Sequence, residues 1–208
     1  MKLQLALDSF SNIEGAKSIL AEVIDLVDII EVGTPFILQE GIKVVAQMKT
    51  AYPDIIVLAD LKIIDAGALE ARLAFDAGAD IVTLLGVAHD TTIRKALGEA
   101  RKCSKQVMVD FISVGDVRTR ALEMEAMGVG YICVHSAHDV HKSENPLRDL
   151  HIVQSVSKKA KIAVAGGINP ETLPQLAPYR PDIVVVGSYI TGSQNRRRAA
   201  LEIRQMLG

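Results

Sequence analysis

The sequence predicts a single closed (β/α)8 barrel, an α/β fold of the TIM-barrel type that spans residues 1–208. Three observations predict it: eight short apolar runs recur about every 26 residues, a helix-forming segment follows each run, and no linker divides the chain. The runs are nearly continuous in apolar, often β-branched residues, which is typical of parallel strands covered on both faces. An open doubly wound sheet is the alternative, but eight nearly equal units favour closure.

Each unit pairs one predicted strand with one predicted helix. The strands are expected at residues 3–7, 27–32, 55–59, 81–85, 107–109, 131–134, 162–165 and 183–186. In the segments between them, apolar residues stand three or four positions apart, which is the spacing of one helix face. The helices are expected at residues 12–21, 40–50, 68–77, 91–101, 117–127, 147–157, 170–176 and 197–207.

Glycine and proline mark several helix boundaries. Gly78 and Gly128 follow predicted helices, and glycine adopts the left-handed cap conformation at little cost. Asn169 followed by Pro170 predicts an N-cap and the first turn of the seventh helix. These signals agree with the apolar periodicity and support the division into eight units.

The charge and cysteine content exclude several classes of protein. The 23 basic and 25 acidic residues give a net charge of -2, so no basic surface for nucleic acid or for an anionic membrane is expected. The basic run at residues 196–198 is interpreted as a solvated helix turn. No apolar run reaches the ~18 residues of a membrane span, and Cys103 and Cys133 make no disulfide framework. We expect a cytoplasmic protein without nucleic-acid or membrane partners.

Polar side chains follow several of the predicted strands, at the point where each apolar run ends. In a parallel barrel the carboxyl ends of all strands meet at one rim, where the active site lies. These residues are Asp8, Glu31, Asp60, Asp110 and His135, with Lys62 and Asp65 close behind the third run. The sequence therefore predicts that they surround a single mouth.

Three of these residues, Asp8, Glu31 and Asp60, would crowd carboxylates together. Neighbouring carboxylates raise each other's pKa unless a cation offsets their charge. Lys62 supplies one positive charge, and ligands with oxygen alone favour Mg²⁺ over zinc. We expect Glu31 and Asp60 to hold Mg²⁺; an ion-pair network that braces the rim is the alternative.

Lys62 and His135 are the candidates for charge stabilisation and proton transfer. Asp60 and Asp65 flank Lys62 in the sequence and favour its protonated form, which makes it a poor Schiff-base nucleophile and a good partner for an oxyanion. His135 titrates near neutrality in its unperturbed state. Glycine-opened turns after the last two strands, at Gly166, Gly167, Gly187 and Ser188, predict a phosphate site.

Several segments resemble the signatures of a known family. They are LQLALD at residues 3–8, IEVGTP at 30–35, LADLKIID at 58–65, AVAGGI at 163–168 and VGS at 186–188. They are similar to the metal-dependent branch of the orotidine 5′-monophosphate decarboxylase suprafamily, and most of all to the 3-hexulose-6-phosphate synthases. Asp60, Lys62 and Asp65 form the Asp-x-Lys-x-x-Asp motif of that suprafamily.

The resemblance implies a lyase of the aldolase type. The expected reaction is the reversible condensation of formaldehyde with D-ribulose 5-phosphate to D-arabino-hex-3-ulose 6-phosphate, through a Mg²⁺-stabilised enediolate. It implies Asp60, Lys62, Asp65 and His135 as catalytic residues, and we assign substrate binding to Asp8, Thr34 and Asp110. It also implies a homodimer with shared sites, in which Asp65 and the segment at residues 66–75 meet the partner.

The same branch contains 3-keto-L-gulonate-6-phosphate decarboxylase, which is the alternative function. The decarboxylases have Glu at the end of strand five, and Arg both directly and three positions after the strand-six histidine. Here those positions hold Asp110, Ser136 and His138. The first two resemble the synthases, whereas His138 matches neither pattern.

Two functions of other classes stay open. A sugar-phosphate epimerase shares the barrel and the phosphate site, but histidine metal ligands would be expected at its strand ends. A non-catalytic sugar-phosphate-binding protein would not need Asp60, Lys62 and His135.

Overall fold

Eight parallel strands close into a barrel in chain order, β1 beside β2 and so on until β8 pairs with β1. The computed structural model describes residues 1–8, 12–137, 139 and 146–208. Its strands are β1 (Lys2–Leu7), β2 (Ile29–Val32), β3 (Ile56–Ile63), β4 (Ile81–Leu85), β5 (Gln106–Asp110), β6 (Tyr131–His135), β7 (Lys161–Ala165) and β8 (Ile183–Val186). The predicted fold class is confirmed.

Helices alternate with the strands and cover the outside of the barrel. Those in the described residues are α1 (Ile13–Val23), α2 (Thr34–Glu40), α3 (Lys43–Ala51), α4 (Gly67–Asp76), α5 (Asp90–Lys102), α6 (Val117–Met127), α7 (Pro146–Val156), α8 (Leu173–Leu176), α9 (Ser188–Thr191) and α10 (Arg196–Leu207). Gly128 has a φ of 77° and caps α6 in the left-handed conformation, as predicted. In the described part of the chain, no helix has both the length and the apolar character needed to cross a membrane.

The side chains inside the barrel form two layers, and the upper layer contains the polar residues of the site. The lower layer is an apolar floor formed mainly by Ile29, Leu58, Ile81, Met108, Cys133, Ala163 and Ile183. Because side chains alternate along a strand, the residues two positions further face the same interior, nearer the mouth. On five successive strands those residues are Glu31, Asp60, Thr83, Asp110 and His135. The polar site therefore lies directly above the apolar floor.

Three predicted boundaries are wrong, and the first affects the site. β3 continues through Asp60 and Lys62 to Ile63 instead of ending at residue 59, because its pairing with β4 shifts between Ala59 and Ile63. The segment after β2 forms the separate helix α2, with a proline in its first turn. The helix expected at residues 170–176 starts only at Leu173, because the Asn169 side chain accepts from the amides of Glu171 and Thr172.

The helix after β3 divides its apolar residues between two surfaces. Ala71, Ala74 and Phe75 pack against the barrel's own core and are buried. Leu69 and Leu73 lie on the outside and are more than half exposed, at 59% and 51%. Only part of the segment predicted to meet a partner is thus available for that contact.

Candidate active site

Asp60 is the centre of a hydrogen-bonded cluster at the barrel mouth. It lies in the extended part of β3 and is 4% exposed. Its Oδ1 accepts a hydrogen bond from Thr83 Oγ1 at 2.6 Å, and its Oδ2 lies 2.9 Å from Thr34 Oγ1. The Lys62 ammonium contacts the same Oδ2 and donates to Thr34 Oγ1 at 3.2 Å. Thr34, at the start of α2, therefore joins the two charged residues.

Lys62 is held as a cation. Burial lowers the pKa of its ammonium group, but the carboxylates of Asp60, Asp110 and Glu31 outweigh burial and raise this pKa above its ordinary value. A protonated lysine has no lone pair with which to form a Schiff base. The predicted role of Lys62, a fixed positive charge beside the substrate, requires this protonated form and stays a prediction.

Glu31 lies on β2 next to this cluster and is 8% exposed. The Gln4 side chain donates to Glu31 Oε2 at 2.6 Å, from inside the barrel. Burial raises the pKa of Glu31 to about 8, and the negative charges of Asp60 and Asp8 add to the increase. A cation bound here would relieve this repulsion and favour the carboxylate form.

Glu31 and Asp60 provide a donor set that fits a hard divalent cation. Both side chains offer oxygen ligands, and Mg²⁺ in proteins binds one or two carboxylates together with water and substrate oxygens. Among the described residues, no group of three or more acidic, histidine or cysteine side chains is arranged to hold an ion. An ion at this site would accordingly take its remaining ligands from substrate and water.

His135 ends β6 and pairs with a buried carboxylate. Its Nδ1 lies 2.7 Å from Oδ2 of Asp110, while the other oxygen of Asp110 accepts from the Ile112 amide at 2.9 Å. A proton on Nδ1 shared with Asp110 leaves Nε2 as the ring nitrogen that exchanges protons with a ligand. Both oxygens of Asp110 are engaged by the protein, and its predicted contact with substrate stays a prediction.

Asp8 and the predicted phosphate turns lie together at the ends of β7, β8 and β1. A Cβ atom at Gly33 would collide with Asp8 Oδ1, and one at Gly187 would lie 3.6 Å from Asp8 Oδ2. Gly166 and Gly167 have φ angles of 102° and 63°, which favour glycine. Gly187 precedes α9, which Ser188 begins. Both turns lie at the ends of strands, and their predicted binding of phosphate stays a prediction.

Asp65, the last residue of the motif, does not join the cluster of Asp60 and Lys62. Its side chain accepts from the adjacent Ala66 amide, at 2.7 Å. It lines a groove of about 870 Å³ with Gly67, Gly86, Asp90, Arg120 and their neighbours. The structure thus brings together most of the predicted site and leaves Asp65 at its edge. His138 lies outside the described residues.

Two polar residues of the site were missed by the sequence analysis, Gln4 and Thr83. They are buried, at 2% and 4% exposure, and each bonds one of the predicted metal ligands. The signal that could have found them is an uncharged polar residue at an inward position of an apolar strand. The thiol of Cys133, whose pKa is raised well above its usual value by burial, belongs to the apolar floor.

Comparison with known proteins places the chain in a family. Residues 1–203 match the Orotidine 5′-phosphate decarboxylase / HUMPS family. The chain belongs to this family. Among its relatives is the 3-hexulose-6-phosphate synthase of Bacillus subtilis (strain 168), which is 43% identical over 208 residues, 100% of this chain and 99% of the relative.

Solved structures of similar proteins have the same barrel fold. The 3-hexulose-6-phosphate synthase from Salmonella typhimurium has a TM-score of 0.95 and 44% identity, covering 100% of this chain and 98% of that one. A structure of KGPDC from Streptococcus mutans has a TM-score of 0.90 and 26% identity, covering 99% of this chain and 96% of that one. The fold is common to both groups, whereas the identity is higher with the synthase.

Proposed function

We propose that this protein is a 3-hexulose-6-phosphate synthase, a lyase that reversibly joins formaldehyde and D-ribulose 5-phosphate to give D-arabino-hex-3-ulose 6-phosphate. The observation that carries the proposal is 43–44% identity over essentially the whole length of both chains to proteins of that name. The cluster of Asp60, Lys62, Glu31 and the Asp110–His135 pair supports it, because these groups suit the chemistry of an enediolate.

The chain's own residues account for most of the proposed mechanism. The glycine turns at Gly166–Gly167 and Gly187–Ser188 bind the phosphate and place the sugar carbonyl over the mouth. Loss of a proton from C1 leaves an enediolate, whose C1 attacks the carbon of formaldehyde, and the resulting alkoxide takes up a proton. All atoms of both substrates are kept in the product.

Two groups handle charge and protons in these steps. Lys62, held as a cation between Asp60 and Thr34, stabilises negative charge that develops on the sugar oxygens. His135, oriented by Asp110, moves protons through Nε2. Mg²⁺, for which Glu31 and Asp60 are the proposed ligands, supplies Lewis-acid charge when bound.

We further infer a homodimer that shares its active sites. Asp65 faces a groove at the edge of its own mouth rather than Lys62. Val87, which lines this groove, is an exposed apolar residue, and further exposed apolar side chains follow β3 in the chain, namely Ile64, Leu69 and Leu73. An isologous contact through this surface would cover them and bring Asp65 toward the site of the second copy.

An assay of the purified protein tests the proposed function. We expect formaldehyde-dependent consumption of ribulose 5-phosphate, loss of activity with EDTA, and recovery with added Mg²⁺. Lys62→Ala is the inactive control for contaminating enzymes. Turnover of 3-keto-L-gulonate 6-phosphate instead would identify the decarboxylase, epimerisation of ribulose 5-phosphate would identify the epimerase, and binding without turnover would indicate a sugar-phosphate-binding protein. Full activity in excess EDTA would contradict the metal requirement.

A further inference from the structure

Thr83 is a buried hydroxyl at the barrel mouth that the proposed mechanism does not use. It lies on β4, in the otherwise apolar run Ile81–Leu85, and is 4% exposed. Its side chain faces the interior, above Ile81 in the apolar floor. A polar group in such a place needs hydrogen-bond partners, since burial without them is unfavourable.

Both partners of Thr83 belong to the Asp-x-Lys-x-x-Asp motif. The hydroxyl donates its proton to Asp60 Oδ1 at 2.6 Å and accepts from the backbone N–H of Lys62 at 2.9 Å. A hydroxyl has one donor and two acceptor positions, so it can make both bonds at the same time. One side chain therefore bonds a carboxylate and the backbone of the neighbouring catalytic lysine.

The backbone at this point is irregular. Ala59 pairs with Val82 and Ile63 pairs with Leu84, so the three residues Asp60 to Lys62 stand opposite the single residue Thr83. Lys62 has a φ of 48°, a left-handed conformation that residues with a Cβ atom adopt only when their surroundings hold them. The regular parallel ladder is interrupted here, and the Thr83 hydroxyl receives the Lys62 amide.

We propose that Thr83 is a positioning residue, whose hydroxyl fixes the bulge of β3 and so sets the directions in which Asp60 and Lys62 point. Thr83 occupies one oxygen of Asp60, while the other oxygen contacts Lys62 and Thr34. Loss of the hydroxyl would let the carboxylate rotate and would release the Lys62 amide. The proposal deepens the proposed function and depends on it for the metal-binding and kinetic measurements, but not for the measurement of hydrogen exchange.

Two substitutions separate the hydroxyl from the shape of the side chain. Thr83→Val keeps the size and the branching but has no hydroxyl, whereas Thr83→Ser keeps the hydroxyl and lacks the methyl group. Thermal unfolding of the metal-free chains establishes that folded proteins are compared. Thr83→Ala is the smaller replacement if the valine variant does not fold. Three properties are then measured in each variant.

The first measurement is Mn²⁺ affinity, from the EPR signal of the unbound ion. The second is kcat and KM with ribulose 5-phosphate and formaldehyde. Partners that orient metal ligands typically contribute 10–100-fold in metal affinity or activity. We expect Thr83→Val to weaken Mn²⁺ binding and to lower kcat, each by about 10–100-fold, with a smaller change in the KM for ribulose 5-phosphate because the phosphate is bound elsewhere. Thr83→Ser should restore both.

The third measurement is hydrogen exchange of the Lys62 amide, which should be faster in Thr83→Val and protected in Thr83→Ser. This measurement requires neither metal nor turnover. It therefore tests the positioning role of Thr83 even if the wild type shows no synthase activity and the proposed function fails. Equal exchange at Lys62 in wild type and Thr83→Val would overturn the proposal. So would a serine variant that loses activity while the valine variant keeps it.

Discussion

At the scale of single residues, the orientation of His135 depends on one buried carboxylate. Asp110 bonds Nδ1 of the imidazole and is itself held by the Ile112 amide, so the ring has a defined direction. The pair therefore orients the imidazole ring through a contact between two adjacent strands.

We predict that His135→Asn lowers kcat by on the order of 10²–10⁴-fold, because the variant lacks a proton-transfer group. Asp110→Asn keeps the shape but removes the charge, and it should lower kcat by a smaller factor. Steady-state kinetics with ribulose 5-phosphate measure both, and KM should change less than kcat. His151→Asn, at an exposed position of α7, is the matched control. Wild-type turnover in His135→Asn would make this histidine a structural residue.

Glu31 gives a prediction about pH and stability. Its pKa is raised from 4.5 to about 8, so the folded chain binds more protons than the unfolded chain between these values. The contribution of Glu31 to stability therefore falls as pH rises through this range. As pH rises through this range in EDTA, we expect the free energy of unfolding of the wild type to fall relative to that of Glu31→Gln. The expected slope is on the order of 1 kcal/mol per pH unit.

Urea denaturation between pH 5 and pH 8 measures this difference. Mg²⁺ should reduce the loss of stability at high pH, since binding favours the ionised carboxylate. Glu14→Gln, at an exposed position of α1, is the control and should follow the wild type. Parallel pH profiles for wild type and Glu31→Gln would show that Glu31 ionises normally.

At the scale of elements, an aspartate just before an even-numbered strand recurs around the bottom of the barrel. Asp28, Asp80 and Asp182 precede β2, β4 and β8. Each accepts a hydrogen bond of 2.8–2.9 Å from the backbone N–H of the second residue in the preceding strand, namely Leu3, Val57 and Ile162. Gly130 stands at the corresponding position before β6. These aspartates tie neighbouring units together at the end opposite the site.

We predict that Asp80→Ala destabilises the protein by about 1–3 kcal/mol. The substitution leaves the Val57 amide without its acceptor and removes the carboxylate that pairs with both Lys49 and Lys105. The exposed Asp54→Ala is the control and should change stability by at most about 0.5 kcal/mol. Denaturant unfolding at pH 7 measures both. A loss in Asp80→Ala no larger than in the control would contradict the structural role.

The pH dependence of this effect has the opposite sign to that of Glu31. Burial raises the pKa of Asp80, but hydrogen bonds from Lys105 and Lys49 outweigh burial and lower the pKa below 3.8. The stabilisation is therefore complete above the unfolded value and is lost as pH falls through the lowered pKa. The difference between wild type and Asp80→Ala should shrink in acid.

At the scale of the whole molecule, ion pairs join the first and last units. Arg196 and Arg197 on α10 pair with Glu22 and Asp25, and Arg204 pairs with Asp28, each at 2.7 Å. The basic run at residues 196–198 is an exposed helix turn, as interpreted from the sequence, and two of its three arginines also contact α1 and the turn after it. These contacts supplement the pairing of β8 with β1 that closes the barrel.

The proposed sharing of active sites gives a prediction for the assembled protein. Asp65→Asn and Lys62→Ala should each be inactive alone, but mixed dimers would contain one site with both native residues. Random assortment makes half the dimers mixed, so about a quarter of the wild-type activity should return. The control is each variant taken alone through the same chain-exchange procedure, which should stay inactive. No recovery, despite demonstrated exchange of chains, would mean that each barrel carries a complete site.

The sequence by itself determined the barrel and most members of its mouth. Periodic apolar runs predict strands and helices because burial of one face is decided locally, and parallel closure brings strand ends such as Glu31, Asp110 and His135 to one rim. Family signatures added that Asp60, Lys62 and Asp65 form one motif. These predictions depend on residue type and spacing, which are visible along the chain.

Only the tertiary structure decided how these residues meet. The extension of β3, the left-handed Lys62 and the hydroxyl of Thr83 opposite the bulge depend on pairing between strands more than 20 residues apart in sequence. The burial that raises the pKa of Glu31, and the pairing of Asp110 with His135, likewise result from neighbours on other strands. Pairing, burial and charge coupling are properties of distances in space, and apolar periodicity along one chain carries no information about them.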